Sequence, residues 1–535
     1  MSSVQKNSSY LNSKSTTGTV TRVRDTGCSS GMCPLCIDEC PVLCEISMAA
    51  FRGRETLYPD PFKFGHSTAA ALKDYRLDWS DFQIHTSLRG KSNPVLDSDA
   101  MLFPNVSVES GVGGILCRVP LIIGAYGSTE VASRYWRELA VGAAMTGVPL
   151  IVGENVCGVD SESRMTSGKV TASPEMERRV HDFREFWDGK YGEIGVQTNV
   201  EDENLGVDEY VISKLEVNLI ERKWGQGAKG IGGEIRTGDL NKAQLLKKRG
   251  YIVIPDPEES KVQEEFKREV FHSFERHSRV GVIDEAFFLE GIDRLKDQGV
   301  KTVGLKTGAY RPSDTAFALK LASKGEIDYV VFDGSEGGTG MSPVPMMDES
   351  GVPTVYLEAW VLKCAQILEK KGWHVPDIAM AGGFIEESQV FKAIALSNFG
   401  KGPYVKSVLM GRSPITAVMK ANYYVKLAEE NRLPSNFSNR YGNEPPRFFV
   451  KASELRGRYG SQFSNIPWGA VGLYTYLNDR VKVGLQQLMA AARKWRLDTI
   501  GRTDLMALTK RAFEATGIPL PETCDEEEVE RILDA

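Results

Sequence analysis

The sequence has no hydrophobic run approaching the roughly eighteen residues that a helix needs to cross a bilayer. Its start also lacks the charged-then-apolar pattern of an export signal. The formal net charge of −6 argues against nucleic acid or an anionic membrane surface as the main partner. These absences predict a cytoplasmic protein, and 41% hydrophobic with 25% charged residues is the composition of an ordinary globular enzyme.

Cysteine is sparse along most of the chain but dense near its start. Five cysteines lie close together: Cys28, Cys33, Cys36, Cys40 and Cys44. The spacing Cys33-x2-Cys36-x3-Cys40, followed by proline, is typical of ferredoxin-type iron–sulfur ligation, with Cys28 or Cys44 as a fourth ligand. We favour a 4Fe-4S over a 3Fe-4S cluster. A zinc site and a disulfide cluster are the alternatives, but zinc sites usually use two separated cysteine pairs, and disulfides fit poorly with an intracellular chain.

Eight short apolar runs alternate with helical segments from about Val119 onward. They cover residues 119–125, 148–154, 193–199, 219–224, 300–308, 327–334, 376–383 and 405–412. Eight buried strands that alternate with helices predict an α/β fold, a parallel (β/α)8 TIM barrel. The span 225–299 is too long for one crossover and therefore predicts an insertion.

Four segments follow from this pattern in the 535 residues. Residues 1–27 are rich in Ser and Thr and predict a disordered polar arm, and 28–114 hold the iron–sulfur module and an irregular connector. The barrel takes 115–435, and 436–535 form a helical C-terminal cap with a polar face from residue 475.

The carboxyl ends of the strands form the active face of such a barrel. The runs AGGF and MGR follow the seventh and eighth strands, where barrels often bind a cofactor phosphate, and Arg412 would pair with it. Glycines recur at these ends because a bound group approaches the backbone closely, or simply because strands turn into helices there. Lys306 ends an apolar strand, which favours contact with a ligand such as a flavin over a solvated strand end.

Two glycine-rich loops carry polar side chains. The entropic cost of the four glycines in DGSEGGTG (333–340) favours a binding function over a flexible surface loop. GQGAKGIGGEI (225–235) presents Gln226 and Lys229 among small residues, which suits a small carboxylate substrate, although similar loops occur as linkers.

Together these segments resemble the FMN-binding domain of the glutamate synthase family over roughly residues 115–510. IERKWGQGAKGIGG (220–233) is similar to that family's segment ending in QGAKPGxGG, and DYVVFDGSEGGTGMSP (328–343) looks like its flavin-side loop. GENVCG (153–158) is a looser match to TGEGG. The cysteine module with FRGRETLYP resembles the short archaeal-type glutamate synthases.

The resemblance implies reductive amination of 2-oxoglutarate with ammonia to glutamate. Electrons would pass from a ferredoxin-like donor through the iron–sulfur cluster to FMN, and an imine of the keto acid would accept hydride from the reduced flavin. Gln226 and Lys229 would bind the keto acid, with Glu221 nearby. The implied flavin contacts are Gly124, Ala125, Gln197, Lys306, Asp333, Ser335, Gly337, Gly338, Thr339, Gly340, Gly382, Gly383, Phe384, Met410, Gly411 and Arg412.

Four departures from the family bear on its function. The chain has no room for the family's glutaminase domain, so we expect free ammonia or a separate glutaminase subunit. GRSPITAVMKANYYVK has no cysteine where the family places its cluster ligands, and the N-terminal run would replace them. GAYGS (124–128) lacks the family's Met-Ser pair, and Glu234 stands where the family often has glutamine.

Two other functions remain open on these residues. One is a flavin and iron–sulfur oxidoreductase that acts on a different small substrate, and the other is an electron-transfer subunit whose barrel is only a scaffold. Retention of Lys306, Gln226 and Lys229 argues against the scaffold. We also expect a homo-oligomer, because proteins with an exposed cofactor module often self-associate.

Overall fold

The computed structural model describes residues 50–51, 75–89 and 97–534, except 228, 233, 282 and 339–341. Eight parallel strands close a barrel in sequence order. They are β1 (Leu121–Tyr126), β2 (Leu150–Val152), β3 (Ile194–Thr198), β4 (Leu219–Lys223), β5 (Thr302–Thr307), β6 (Tyr329–Asp333), β7 (Asp377–Ala381) and β8 (Val405–Met410). Each predicted apolar run forms one strand, so the predicted (β/α)8 barrel is confirmed. The cysteine run 28–44 lies outside the described residues.

Helices surround the barrel and alternate with its strands. Several start at a side-chain cap: Thr129, Ser173 and Asp284 each accept a backbone N–H from the first helical turn. In chain order the barrel helices are Glu130–Arg134, Trp136–Thr146, Val156–Val159, Pro174–Arg184, Val200–Asn204, Val207–Leu215, Glu285–Asp297, Pro312–Lys324, Val344–Glu349, Thr354–Lys370, Glu387–Leu396 and Arg412–Glu429. No helix in the described part of the chain combines the length and apolarity that a bilayer span requires.

The alternation of side chains along each strand divides the buried residues between two cores. Ile122, Leu219 and Leu409 belong to the cluster inside the barrel, whereas outward-facing side chains pack against the helices. A hairpin of strands Ser110–Val112 and Ile115–Cys117 lies at the amino end of the barrel. There Gly113 N donates to Asp377 Oδ2 at 2.9 Å, and its carbonyl accepts from Thr302 Oγ1 at 3.0 Å. The hairpin closes this end, opposite the face where barrels carry their active sites.

The predicted insertion between β4 and Glu285–Asp297 has a sheet of its own. Strand Phe274–His277 lies between Glu234–Thr237 and Ile252–Ile254, all antiparallel, and helices Leu240–Lys248 and Ser260–Lys267 accompany them. A small apolar cluster around Leu246 and Phe274 stabilises this unit. Arg249 Nη1 donates to the carbonyls of Gly158 at 2.9 Å and Asp160 at 2.6 Å, which fixes the unit to the loop after β2. A hairpin of Arg164–Thr166 and Lys169–Ala172 follows in that loop.

The C-terminal region is helical, as predicted, but part of it is more deeply buried than its sequence suggests. Its helices are Ser435–Tyr441, Pro445–Phe448, Ala452–Tyr459, Trp468–Tyr474, the π-helical turn Thr475–Val481, Lys482–Ala491, Lys510–Thr516 and Glu526–Leu533. Leu477, Val481 and Leu485 are fully buried. Residues 475–491 therefore belong to the main core instead of forming a polar-faced cap. Strand Leu505–Ala507 pairs with Phe82–Ile84 and so ties the C-terminal region to the start of the described fold.

Glu358 is a fully buried carboxyl group on helix Thr354–Lys370. Neither of its oxygens has a hydrogen-bond partner among the residues that the structure describes. Burial raises the pKa of Glu358 well above its usual value, and the charge of Arg502 opposes this effect. The guanidinium of Arg502 instead donates to the carbonyls of Leu396 and Thr516. The folded protein therefore favours the neutral form of Glu358.

We expect Glu358→Gln to flatten the pH dependence of stability. Because the folded-state pKa of Glu358 is raised, the contribution of this carboxyl group to the free energy of unfolding is fully present below about pH 4.3, the pKa in the unfolded state. It is lost as the pH rises through the folded-state pKa. Relative to wild type, the variant should gain at least about 1 kcal/mol in the free energy of unfolding between about pH 5 and pH 8. Urea unfolding measures this, with the exposed Glu290→Gln as control. Parallel pH profiles for wild type and Glu358→Gln would contradict the prediction.

Candidate active site

The upper half of the barrel interior carries polar side chains in two layers. In the lower layer, strand register places Gln197 beside Glu221, and Glu221 beside Gly304. One layer nearer to the carboxyl ends, the same register aligns Lys223 with Lys306. Because successive side chains in a strand point to opposite faces, Glu221 and Lys223 face the same side of β4.

Glu221 is the centre of the lower layer and is fully buried. Gln197 Nε2 donates to one carboxylate oxygen at 2.5 Å, and the Tyr329 hydroxyl donates to the other at 2.9 Å. Burial raises the pKa of Glu221, and the charge of Lys306 opposes this. Both oxygens are engaged within the protein, so Glu221 supports the site from below. Gln197 Oε1 is buried and has no partner within the described part of the chain.

Lys306 and Asp333 form a buried pair at the ends of β5 and β6. Lys306 Nζ lies 3.6 Å from Asp333 Oδ2, and the two side chains are only 8% and 7% exposed. Burial raises the pKa of Asp333, whereas Lys306 and the backbone N–H of Gly227 act in the opposite direction. Lys306 is therefore not a solvated strand end. Its positive charge is held at the mouth of the barrel with a single close carboxylate.

A second pair, Lys223 and Glu154, lies at the ends of β4 and β2, and the sequence analysis did not select it. Lys223 Nζ lies 2.6 Å from Glu154 Oε1 and 2.9 Å from Gln226 Oε1. Burial alone would raise the pKa of Glu154, but the charge and hydrogen bond of Lys223, together with a backbone hydrogen bond and the charge of Lys229, outweigh burial, and the pKa falls to about 2. Glu154 ends the apolar run VPLIVGE, so the signal that singled out Lys306 could also have found it, whereas Lys223 follows Glu221 and Arg222 and carries no such signal.

The loop after β4 runs from the barrel mouth to the insertion. A Cβ on Gly227 would lie 2.0 Å from the carbonyl oxygen of Gly334 in the loop after β6. A Cβ on Gly232 would lie 2.3 Å from the carbonyl oxygen of Ser278, just after the central strand of the insertion. Lys229 lies between these two contacts and is partly exposed. Burial, together with the charge of Lys223, lowers the pKa of Lys229 to about 8.

The ends of β7 and β8 form another edge of the barrel mouth. Gly382 and Gly383 have φ values of 108° and 85°, which favour glycine. Gly411 caps helix Arg412–Glu429 without a side-chain hydrogen bond, and a Cβ there would meet no atom within 4 Å. Arg412 is exposed and forms no ion pair among the described residues. Ser413, which the sequence analysis missed, has a buried hydroxyl near that of Tyr476 but makes no hydrogen bond of good geometry.

An uncapped helix start, an unpaired guanidinium, an unsatisfied hydroxyl and open space fit a phosphate group. The residues at this edge therefore suit the phosphate of FMN, and Gln197 Oε1 and Lys306 offer polar partners nearer the barrel axis.

Several predicted cofactor contacts are explained by the protein's own packing. A Cβ on Gly124 would lie 2.3 Å from Leu409 Cδ2, and one on Gly337 would lie 2.0 Å from Asp333 Oδ1. Neighbouring side chains require these glycines, whereas the sequence analysis explained strand-end glycines by a bound group or by the turn from strand into helix. Gly338 is buried and Ala125 is partly buried against the barrel interior.

Three larger predicted contacts face the protein core. Ser335 is fully buried. Phe384 packs against Trp79 with ring centroids 5.7 Å apart, and Met410 belongs to the core outside the barrel. Their side chains are therefore placed as structural groups, and any contact with a flavin would come from their backbone. Thr339 and Gly340 lie outside the described residues.

A cleft of about 840 Å³ opens beside the loop after β4. Its walls include Lys223, Trp224, Gly230, Arg279 and Tyr310. Because Lys223 and Gly230 flank Gln226 and Lys229 in sequence, the cleft gives solvent a path to this loop.

Comparison with known proteins gives the following matches. Residues 274–404 match the family model described as the conserved region in glutamate synthase. Over 185 residues the chain is 29% identical to an archaeal-type glutamate synthase (NADPH) of Thermotoga sp. (strain RQ2), which covers 34% of this chain and 32% of the relative. Over 205 residues it is 28% identical to the archaeal glutamate synthase (NADPH) of Methanocaldococcus jannaschii, covering 37% and 35%. These matches span about a third of the length of the relatives.

Among solved structures, a mutant flavocytochrome b2 with pyruvate bound superimposes with a TM-score of 0.44 and 14% identity, over 84% of this chain and 81% of that one.

We expect Lys229 to be half-deprotonated near pH 8, because its ammonium is partly desolvated beside Lys223. Acetylation at increasing pH, quantified by mass spectrometry, should show labelling of Lys229 rising to half its maximum at about that pH. The exposed Lys214 is the matched control. Labelling of Lys229 in step with Lys214 would contradict the prediction.

Proposed function

We propose that this chain, whose residues 274–404 match the conserved region in glutamate synthase, is an FMN-dependent oxidoreductase that reductively aminates 2-oxoglutarate. Ammonia, two electrons and two protons convert the keto acid into glutamate and water. The observation that carries the proposal is the cluster of three lysines at the ends of β4 and β5 and in the loop after β4: Lys223, Lys229 and Lys306. Lys223 and Lys306 are paired with Glu154 and Asp333, so Lys229 supplies the surplus positive charge that suits an anionic substrate, and Lys306 would lie beside a ring that gains negative charge on reduction.

The edge formed by β7 and β8 would hold the FMN phosphate. Gly383 and Gly411 leave the backbone open there, and Arg412 would neutralise the phosphate charge. Gln197 Oε1 is free to accept a hydrogen bond from the ring, and Lys306 would lie where the reduced ring carries charge. When bound, FMN would supply the hydride that reduces the substrate.

The loop after β4 would bind the keto acid. With a pKa of about 8, Lys229 is mainly protonated at neutral pH and can neutralise a carboxylate. Lys223 holds the Gln226 amide oxygen at 2.9 Å, which leaves the Gln226 NH2 group to donate to a ligand. Glu221 has a positioning role, because its oxygens orient Gln197 and Tyr329 beneath the site.

We further propose that the N-terminal cysteines bind an iron–sulfur cluster that passes electrons from a ferredoxin-like donor to FMN. The chain that follows them enters the described fold beside the end of β7. There Trp79 packs on Phe384, and the Trp79 carbonyl accepts from Lys392 Nζ at 2.8 Å. Trp79 therefore anchors residues 75–89 at the β7 edge of the barrel mouth. Ammonia would come from solution or from a separate glutaminase subunit, and a homo-oligomer remains part of this proposal.

A flavin oxidoreductase with a different small substrate is the second candidate, and Tyr126 favours it. Tyr126 stands in the segment where the family has Met-Ser, and its hydroxyl donates to the Gly411 carbonyl at the phosphate edge. This tie between the ends of β1 and β8 alters the wall of the site that the resemblance assigns to the flavin face.

Anaerobic purification with flavin, iron and sulfide analysis tests the proposal. We expect about one FMN per chain together with iron and acid-labile sulfide. With a chemically reduced ferredoxin as donor, 2-oxoglutarate plus ammonia should reoxidise the flavin and yield glutamate. Reoxidation only by another acceptor would select the second candidate, and a colourless protein would refute both.

Lys306→Met should weaken FMN binding or slow flavin reduction by at least about tenfold, because a charge that stabilises the reduced ring is lost. Flavin content and the rate of flavin bleaching by reduced donor measure the effect. Lys301→Met, an exposed residue just before β5, is the matched control. Equal flavin content and rate in Lys306→Met and wild type would defeat the role assigned to Lys306.

A further inference from the structure

Arg276 is a buried cation for which the structure provides no acceptor. It lies in the central strand of the insertion, between Ile235 and Val253, and is 2% exposed. Its Nε and Nη1 atoms have no hydrogen-bond partner, and it makes no ion pair within the described part of the chain. The guanidinium carbon lies 5.1 Å from the centre of the Tyr251 ring, which is a cation–π contact. A desolvated guanidinium without an anion is costly, so its place requires an explanation.

Two connections place Arg276 next to the loop after β4, which would bind the substrate. The Tyr251 hydroxyl donates to Asn155 Oδ1 at 3.0 Å, and Asn155 directly follows Glu154 at the end of β2. Gly232, three residues after Lys229, packs against the carbonyl of Ser278, two residues after Arg276. The charge of Arg276 also contributes to the lowered pKa of Lys229. Arg276 and Lys229 are therefore neighbouring cations at the same side of the barrel mouth.

Two acids near Arg276 pair with other cations. Glu154 pairs with Lys223 at 2.6 Å, and Glu201 Oε1 pairs with Arg279 at 3.3 Å, whereas Glu201 Oε2 is buried and has no hydrogen-bond partner among the described residues. Asp202 accepts the backbone N–H of Asn155 at 2.9 Å, and burial raises its pKa to about 8, which favours its neutral form at neutral pH.

Four basic side chains thus stand against two carboxyl groups in this part of the protein: Lys223, Lys229, Arg276 and Arg279 against Glu154 and Glu201. The surplus positive charge belongs to Lys229 and Arg276. A surplus of positive charge that includes the buried Arg276 is stabilised by an anionic group such as a carboxylate.

We infer that Arg276 and Lys229 bind the distal carboxylate of a dicarboxylate keto acid, so that the insertion sets the preference for dicarboxylates over monocarboxylates. This inference rests on the proposed function, which it deepens by assigning a substrate class to the residues of the insertion. Arg276 can present a planar pair of N–H donors to a carboxylate, and Lys229 contributes a point charge. The N–H groups left unpaired in the structure are then satisfied by the substrate.

The test compares two ligands that differ only in the distal group. Isothermal titration calorimetry of the oxidised, FMN-loaded protein measures the Kd of 2-oxoglutarate and of 2-oxopentanoate. We expect wild type to prefer 2-oxoglutarate by at least about tenfold, since a charge-assisted pair is typically worth that much or more. Arg276→Gln should reduce this preference to about twofold or less, and Arg276→Lys should retain part of it. Arg268→Gln, an exposed arginine of the same insertion, should leave it unchanged.

Circular dichroism and FMN content establish that each variant is folded. If Arg276→Gln does not fold, Arg276→Lys takes its place as the test variant. An unchanged ratio of the two Kd values in the folded Arg276 variant, or no preference in wild type, would overturn the inference. A preference that depends on Arg276 without formation of glutamate would support the inference and refute the proposed reaction. If glutamate forms and the preference is independent of Arg276, the proposed reaction is supported and the inference is overturned.

Discussion

Closure of eight parallel strands into a barrel forces inward-facing polar side chains near the carboxyl ends into one small, poorly solvated volume. Isolated charges are costly there, so each must find a partner of opposite sign or a ligand. Lys306 meets Asp333 at 3.6 Å and Lys223 meets Glu154 at 2.6 Å, and these pairs organise the mouth of the barrel. Beneath them, Glu221 gathers Gln197 and Tyr329 and so fixes the floor. The polar groups at the barrel mouth that have no hydrogen-bond or ion-pair partner among the described residues mark where a ligand is needed.

These unpaired groups lie at three places around the mouth. Arg412 and Ser413 lie at the β8 end, Gln197 Oε1 lies near the axis, and Lys229 with Arg276 lies on the side of the insertion. The arrangement supports a cofactor phosphate at one edge and an anionic substrate at the opposite one, with the redox-active ring between them. The insertion then becomes part of the substrate site instead of a peripheral addition, because Arg249 and Tyr251 fix it to the loop after β2.

Most of the fold could be predicted from the sequence, and about half of the candidate site. Apolar runs bounded by turn residues gave all eight strands, since a strand buried on both faces needs continuous apolar residues. Lys306 was found because a charge is unusual at the end of such a run. Glu154 carried the same signal and Lys223 did not, but neither was selected, because their importance depends on a pairing between β2 and β4. Gly124 and Gly337 were attributed to a ligand, although Leu409 and Asp333 occupy the space that a Cβ would need.

The sequence by itself determined the periodicity of the barrel and singled out the glycine-rich loop after β4, because these depend on neighbours along the chain. Only the tertiary structure decided which charges neutralise each other and which remain without a partner. Arg276 is the clearest case, since nothing in its local sequence distinguishes it from the other basic residues of the insertion. Its importance comes from burial between strands and from acids that other cations already occupy, and both are properties of groups that are distant in sequence and close in space.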